Sequence, residues 1–400
     1  AAVAWDIAAE SFMQSQDVVE QLKLRASYGI TGNEGISAYN TLGMLSSTSY
    51  GWGTSTGYTG YWGNTFASPD LTWEETTQWD VGFDATIHGI NISFDWFRKD
   101  TENLLFQKQV PHYNGGGTYW VNQGALMNTG YEFSLNTLVI DRAVKWETTA
   151  NVSYITNEVV DLAGNDFVLT ANYSDLGGPM QIMKPGYPLG SFYVYEWLGF
   201  DDAGANIYRK ADGSTTITPT SEDLVIRGNA TPKWLVGWNN SIIWRNLSLN
   251  IFFRGYNNIN DIVFMDFRMN ISRFTTASMS GGSRFITLRD AYFNGWDYVE
   301  NKSDAKYASV KNTDNKSYAN TTFWLEDASF IKLKNVTISY TIPRHITRFA
   351  DIQLSVSAQD IFTFTKYKGM DPEVYSSYEG LDYGAYPIPR TITFGLKLTF

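Results

Sequence analysis

From Arg390 to Phe400 polar and apolar residues alternate without a break. Ile392, Phe394, Leu396, Leu398 and Phe400 fall on one side, and Thr391, Thr393, Gly395, Lys397 and Thr399 on the other. A period of two describes a β-strand with one apolar face. The sequence stops on that last aromatic residue with no loop or cap behind it. A soluble sheet normally blunts or covers such an edge, whereas a strand closing a membrane barrel pairs its edge with the other end of the sheet. Taken alone, this strand fits either the wall of a transmembrane barrel or the edge of a soluble β-sandwich.

Composition separates the two. No run approaches the ~18 apolar residues of a membrane-spanning helix. Yet 16% of the residues are aromatic, with 14 Trp, 25 Tyr and 24 Phe, in a chain of negative mean hydropathy. So many rings in a hydrophilic chain suit a barrel with apolar residues outside, polar residues inside and aromatic girdles at the two interfaces. There is no Cys, hence no disulfide framework or thiolate metal site. A net charge of −11 argues against nucleic acid as a partner.

The alternation recurs along the chain. Leu22, Leu24, Ala26 and Tyr28 share a face, as do Val81, Phe83, Ala85 and Ile87. Ile92, Phe94 and Trp96 follow, then Trp234, Val236 and Trp238, then Leu247 to Phe253, then Ile352 to Ala358. One strand changes phase: Ile331 and Leu333 share a face, but Val336, Ile338, Tyr340 and Ile342 continue it one residue late. Lys334-Asn335 is therefore a predicted β-bulge. Trp234, Trp238 and Trp244 lie on an apolar strand face and are read as lipid contacts.

Connections sort by length. His88-Gly89, Asp141-Arg142, Arg245-Asn246 and the stretch from Pro343 to Ala350 are short, as is the link from residues 1–10 to residues 19–30. Residues 31–72, 107–121, 161–230, 256–321 and 367–387 form long connections rich in Gly, Asn, Ser and Tyr. Short and long alternate, the asymmetry expected of an outer-membrane barrel with periplasmic turns and external loops. The expected fold is thus all-β: a transmembrane antiparallel barrel with roughly eleven strands in this sequence. Single-chain bacterial barrels have even strand numbers, so residues 1–400 are expected to be the C-terminal part of a larger barrel. Its plug and remaining strands are then expected to lie N-terminal to this sequence. Tyr187–Phe200 is read as an ordered piece of loop, because an extra barrel strand there would break the alternation.

Several segments, in order, resemble the SusC/RagA family of TonB-dependent outer-membrane transporters. Leu22-Lys-Leu-Arg-Ala-Ser-Tyr-Gly-Ile-Thr-Gly-Asn33 looks like the family's strand-and-loop entry. Leu71-Thr-Trp-Glu-Glu-Thr-Thr-Gln78 with Gly82-Phe-Asp84, and Val121-Asn-Gln-Gly-Ala-Leu-Met-Asn-Thr-Gly-Tyr-Glu132, resemble two further motifs. Gly186–Tyr193, Thr231-Pro-Lys233, Leu325–Asn335, Tyr367-Lys-Gly-Met-Asp-Pro-Glu373 and Asp382–Arg390 follow. The resemblance implies a plugged barrel of about twenty-two strands, a size known for outer-membrane transporters. It also implies a multi-pass location in the outer membrane of a Gram-negative bacterium. Implied partners are a SusD-like surface lipoprotein that lids the barrel, the TonB complex acting through the N-terminal part, outer-membrane lipid, and a glycan or peptide substrate. A dimer of transporter–lid pairs is a further implied assembly.

One departure bears on metal. Where many family members carry an acidic, Gly-containing stretch, this chain reads Tyr208-Arg-Lys-Ala-Asp-Gly-Ser214, with cations where Ca²⁺ would need oxygens. Asp201-Asp202-Ala-Gly-Ala-Asn206 keeps some oxygens but reads as turn chemistry. No metal or cofactor is expected.

Nor is catalysis. His88 and His345 fall at predicted periplasmic turns and His112 in an outer loop, so they cannot meet, and no second base accompanies His112. Glu74 and Glu75 point to opposite sides of a strand. The functional candidates are loop aromatics: Tyr58, Tyr61 and Trp62 in one Gly-rich loop, and Tyr113, Tyr119 and Trp120 around Gly115-Gly-Gly117 in another. Flat rings beside Gly and amide groups suit a sugar face or a peptide; packing of loop on loop is the competing role. Phe400 is the expected assembly signal, by resemblance to terminal aromatics on closing strands. The expected activity is active import of oligosaccharides or peptides. The alternative is a passive porin-like channel or a structural or adhesive surface barrel.

Overall fold

A computed structural model describes residues 1–51, 57–173, 178–257, 263–265, 293–309, 320–373, 380–382 and 386–400. Its main body is one eleven-stranded sheet in which strands adjacent in space follow their order in the chain. The strands are β1 (Ala2–Asp6), β2 (Val19–Asn33), β3 (Glu74–Ile87), β4 (Ile90–Glu102), β5 (Ala125–Asp141), β6 (Val144–Asp161), β7 (Trp234–Trp244), β8 (Leu247–Asn257), β9 (Phe330–Ile342), β10 (Asp351–Thr365) and β11 (Thr391–Thr399). Every neighbouring pair is antiparallel. Antiparallel strands laid down in sequence put alternate connections on opposite ends. The turns after β1, β3, β5, β7 and β9 therefore form one rim, and the five long connections the other.

Residue type explains each end. At the short rim His88 and Gly89 both have positive φ, 49° and 73°, as a two-residue hairpin compatible with sheet twist requires. Between β9 and β10 a single helical turn, Arg344–Thr347, ends on Arg348 at φ 71°. On the long rim β2 runs on to Asn33, because Thr31, Gly32 and Asn33 pair with Thr76, Glu75 and Glu74. That loop therefore starts at residue 34 rather than 31.

One face of the sheet is apolar and exposed, the other polar. Ile392, Phe394 and Leu396 are 65%, 79% and 66% exposed. They stand in register with Ala358, Val356 and Leu354 of β10. An exposed apolar band of this kind is stable only against lipid. Polar residues interrupt it, among them a pair on β6 and β7. Asn240 and Thr148 pair across β7 and β6 on the lipid side. Trp146 Nε1 (3.0 Å) and Thr148 Oγ1 (3.1 Å) both donate to Asn240 Oδ1. Trp238 Nε1 in turn donates to Thr148 Oγ1 at 2.9 Å. The indoles satisfy these groups and screen them from hydrocarbon, where an unpaired amide is costly. Trp238 and Trp244 are exposed on this face, as lipid contacts should be, and Trp234 packs on Tyr154 at 4.8 Å.

The bulge lies where the phase change placed it. β8 pairs Phe253 with Leu333 but Phe252 with Asn335, and β10 pairs Leu333 with Phe362 but Asn335 with Gln359. Lys334 is left out of both ladders. Elsewhere on the polar face Phe97 lies over Gly130, where a Cβ would come within 2.6 Å of its ring and 2.7 Å of Tyr154 O. Only Gly lets this ring lie flat against the wall.

The long connections build their own structure. Residues 168–173, 178–183, 191–195 and 224–229 form a four-stranded sheet, and 197–200, 206–209 and 215–216 a three-stranded one. Tyr187–Phe200 thus contains two strands, Ser191–Tyr195 and Trp197–Phe200, but both belong to loop sheets. The barrel alternation is kept. Met180, Phe192, Val194, Ala230 and Leu381 form a buried cluster, with Trp324 and Leu325 packed on it. These residues come from three different long connections, which therefore form one outer-rim body.

Candidate functional site

The two loops that carry the candidate aromatics form a second rim sheet. Its strands run in the order Met44–Gly51, Gly57–Thr65, Thr118–Asn122, Leu105–Gln109. The loops meet at the parallel bridge from Thr65 to Thr118. Phe66 N donates to Thr118 O at 2.8 Å, and Trp120 N to Ser68 Oγ at 3.0 Å. Asn122 ties both loops down, accepting from Thr72 N at 2.6 Å and donating to Thr72 O and Asn103 O at 2.8 and 3.0 Å. The close approach needs glycine. A Cβ on Gly117, at φ 92°, would sit 2.5 Å from Gly63 O; with neither constraint met by another residue, the loops would part.

The ladder sorts the rings by face. Tyr58 and Trp62 lie two apart from Gly60 on the same face of their strand, and Tyr50, opposite Tyr58, leans over Gly60 with its ring centroid 6.0 Å from that of Tyr58. Trp62 reaches across to Gly116, whose position the His112 ring also flanks. Tyr61 points to the opposite face and is 72% exposed; Tyr113, in the short 3₁₀ turn His112–Asn114, is 87% exposed. Tyr119 and Trp120 are half-buried in the strand Thr118–Asn122. The structure brings Trp62 to the His112–Gly117 turn and holds all six aromatics in one connected rim unit, with Tyr58, Tyr61 and Tyr113 the most open.

A second constellation was not singled out from the sequence. Lys332, fully buried, donates from Nζ to Asp371 Oδ1 (3.0 Å), Asp371 Oδ2 (3.1 Å) and Glu373 Oε2 (2.8 Å). Glu373 also accepts from Lys334 (3.0 Å) and from Arg254 Nη1 (3.0 Å), and Lys334 pairs with Asp360 at 2.8 Å. Three cations of the wall meet three carboxylates, two of them from the last long connection. Burial pushes the Glu373 carboxyl up, but hydrogen bonds from Lys332 and Lys334 outweigh it and hold the group below the usual carboxylate range. The matching period was a signal: Lys332-x-Lys334 on a strand face and Asp371-Pro-Glu373 in a segment that resembles a family motif.

The acidic turns are occupied by backbone. Asp201 Oδ1 accepts from Ala203 N and Ala205 N at 2.9 and 2.8 Å, and Asp212 Oδ1 from Ser214 N at 2.9 Å. Asp223 caps a 3₁₀ turn, and hydrogen bonds from the backbone of Thr220 and Ala211 hold its carboxyl low. These are turn geometries. Among the described residues no group of three His, Cys, Asp or Glu is arranged to hold a metal ion. His88 and His345 lie on the short rim and His112 on the long one. Phe400 follows β11 and is 82% exposed.

Comparison with known proteins gives this geometry a family. The family model described as TonB dependent receptor-like, beta-barrel matches residues 1–362. TonB-dependent receptor P3 of Formosa agariphila is 31% identical over 432 residues, covering 100% of this chain and 41% of the relative. TonB-dependent receptor SusC of Bacteroides thetaiotaomicron is 28% identical over 430 residues, covering 100% of this chain and 39% of SusC. The solved RagAB peptide transporter shares the fold with a TM-score of 0.83 at 24% identity, across 100% of this chain and 43% of that one. The chain thus spans about two fifths of the length of the curated relatives it matches. A continuous antiparallel wall with one lipid-facing side, sorted connections and this match place the chain in the outer-membrane family of TonB-dependent receptor-like β-barrels.

Proposed function

We propose that residues 1–400 form the C-terminal barrel portion of an active outer-membrane importer of oligosaccharides or peptides. In this reading the plug and the remaining strands lie N-terminal to this sequence, TonB supplies energy through that part, and a SusD-like lipoprotein closes the outer rim. The barrel wall acts as a conduit and carries out no covalent chemistry. The observation that supports the reading best is the rim sheet, which sets Tyr58, Tyr61, Trp62, Tyr113, Tyr119 and Trp120 on the long-loop side, three of them widely exposed. Rings fixed on a sheet lose little freedom when a sugar face or peptide packs on them. Phe400, at the end of the last strand, is assigned to assembly rather than to transport.

The test uses the full-length protein in its own cells. Uptake of labelled oligosaccharides and peptides should require TonB. Trp62→Ala with Trp120→Ala should weaken cargo capture by ~30-fold or more, as loss of two stacking rings at about 1–3 kcal/mol each implies. Uptake that persists without TonB would make the protein a passive channel. Capture within twofold of the parent would return the two rings to loop packing.

A further inference from the structure

Residues 366–373 run back from the top of β10 over the polar face of the wall. Lys332 is almost wholly desolvated, its side chain 2% exposed, and its ion-pair partners are both on this segment. Glu373 at the same time gathers Arg254 of β8 and Lys334 of β9. Asp371 Oδ1 also accepts from the Glu373 backbone N–H at 3.0 Å, which fixes the two carboxylates relative to each other. The segment thus presents a rigid pair of acids to cations on two adjacent strands. Asp360 of β10 is the remaining charged group in the cluster, and it is engaged by Lys334.

The same connection is fastened at a second place. Gly380 lies so close to Ala230 and Phe192 that a Cβ would come within 2.4 Å of Ala230 Cβ. Leu381 is buried in the cluster of Met180, Phe192, Val194 and Ala230. Asp382 accepts from the Tyr367 hydroxyl at 2.5 Å, joining the far part of the connection to its start. Tyr367 itself packs with Tyr256, Ala328 and Phe330 at the top of the wall. The last long connection therefore touches both the charged wall and the apolar core of the outer-rim body.

We propose that residues 366–373 are a strap that clamps the outer-rim body to the inner face of the barrel through Arg254, Lys332 and Lys334, and that undoing this one cluster releases Leu381 from the rim core. The physics makes the strap two-state. Lifting it would strand a desolvated Lys332 without its counter-charges, so partial opening is unfavourable. Closed, it holds loop and wall in one register.

Residues 1–400 contain no Cys, so an introduced thiol is the single maleimide target within them, and labelling is read against the full-length parent. Leu381→Cys is introduced into the full-length protein, and the rate of maleimide labelling is measured on the folded, membrane-inserted fraction. In the otherwise unchanged background labelling should be slow. Adding Lys332→Met, which leaves the Asp371 carboxylate facing a neutral side chain, should accelerate it at least ~10-fold, the size expected from breaking a buried ion pair. Adding Asp371→Asn to Lys332→Met should bring the rate back toward the slow value, because Glu373 keeps Lys334 and Arg254 and the carboxylate that had lost its only cation is neutralised. A Val159→Cys reporter, fully buried near the top of β6, should stay slow throughout. Unchanged labelling at position 381 in Lys332→Met overturns the strap. Equal acceleration at positions 159 and 381 also overturns it, since that is general loosening. If Lys332→Met does not insert, Glu373→Gln serves instead, with about threefold acceleration expected from loss of a charge-assisted bond and an unchanged rate again counting against the strap.

Discussion

Lys332 Nζ stands 2.8 Å from Glu373 Oε2 across a separation of 41 residues, inside the wall and away from water. The contact makes acid stability specific to one group. A carboxyl held below its ordinary value of about 4.5 contributes stability that is fully present above that value and lost as pH falls through its lower folded value. Glu373→Gln should therefore lower the melting temperature of the detergent-solubilised protein at neutral pH, and the gap from the parent should close as the pH drops below about 4.5. A gap that stays constant down to pH 3 would show that Glu373 does not titrate against Lys332 and Lys334.

The facing of β11 predicts unequal effects of the same substitution. Leu396 pairs with Leu354 on the lipid side, and Thr393 with Ser357 on the lumen side. Leu396→Arg puts a charge into hydrocarbon, at a cost of up to ~2–4 kcal/mol near the midplane. Thr393→Arg keeps its charge in a polar lumen. Folded yield in lipid vesicles should fall for the first and change little for the second. Equal losses for the two would reject the assigned faces.

Gly130 and Phe97 make a third case. Gly130→Ala sets a methyl against the Phe97 ring and against the backbone oxygen of Tyr154, and only the ring can move. Overpacking of this kind costs about 1–3 kcal/mol. The variant should unfold at lower denaturant concentration than the parent, with Phe97→Leu recovering part of the loss and not all of it. Full recovery would mean that the backbone contact is relaxed in the folded protein.

Much of the wall could be read from the sequence because strand period and connection length are local. The eleven strands, the sorting of turns and loops, the bulge at Lys334-Asn335 and the lipid face of Trp238 each follow from residues a few positions apart. Asn240 could not be placed in this way. Its neighbours Ile242 and Val236 argue for lipid, and only the cross-strand Trp146 and Thr148 show how an amide survives there. The rim was legible only in part. Gly115-Gly-Gly117 marked a Gly-rich loop, but the bridge from Thr65 to Thr118 is a pairing between separate loops that no periodicity encodes. The Lys332 cluster failed to show for the same reason: its cations come from two strands, β8 and β9, and two of its three carboxylates lie beyond β10.

The account stands on the two rims lying on opposite sides of the outer membrane. In full-length protein on intact cells, Tyr61→Cys, on the long-loop rim, should react with a membrane-impermeant maleimide. His88→Cys, in the tight β3–β4 turn, should react only after the outer membrane is permeabilised. Labelling of both positions to the same extent on intact cells would contradict the barrel orientation, and with it the placement of the aromatic rim at the outer surface.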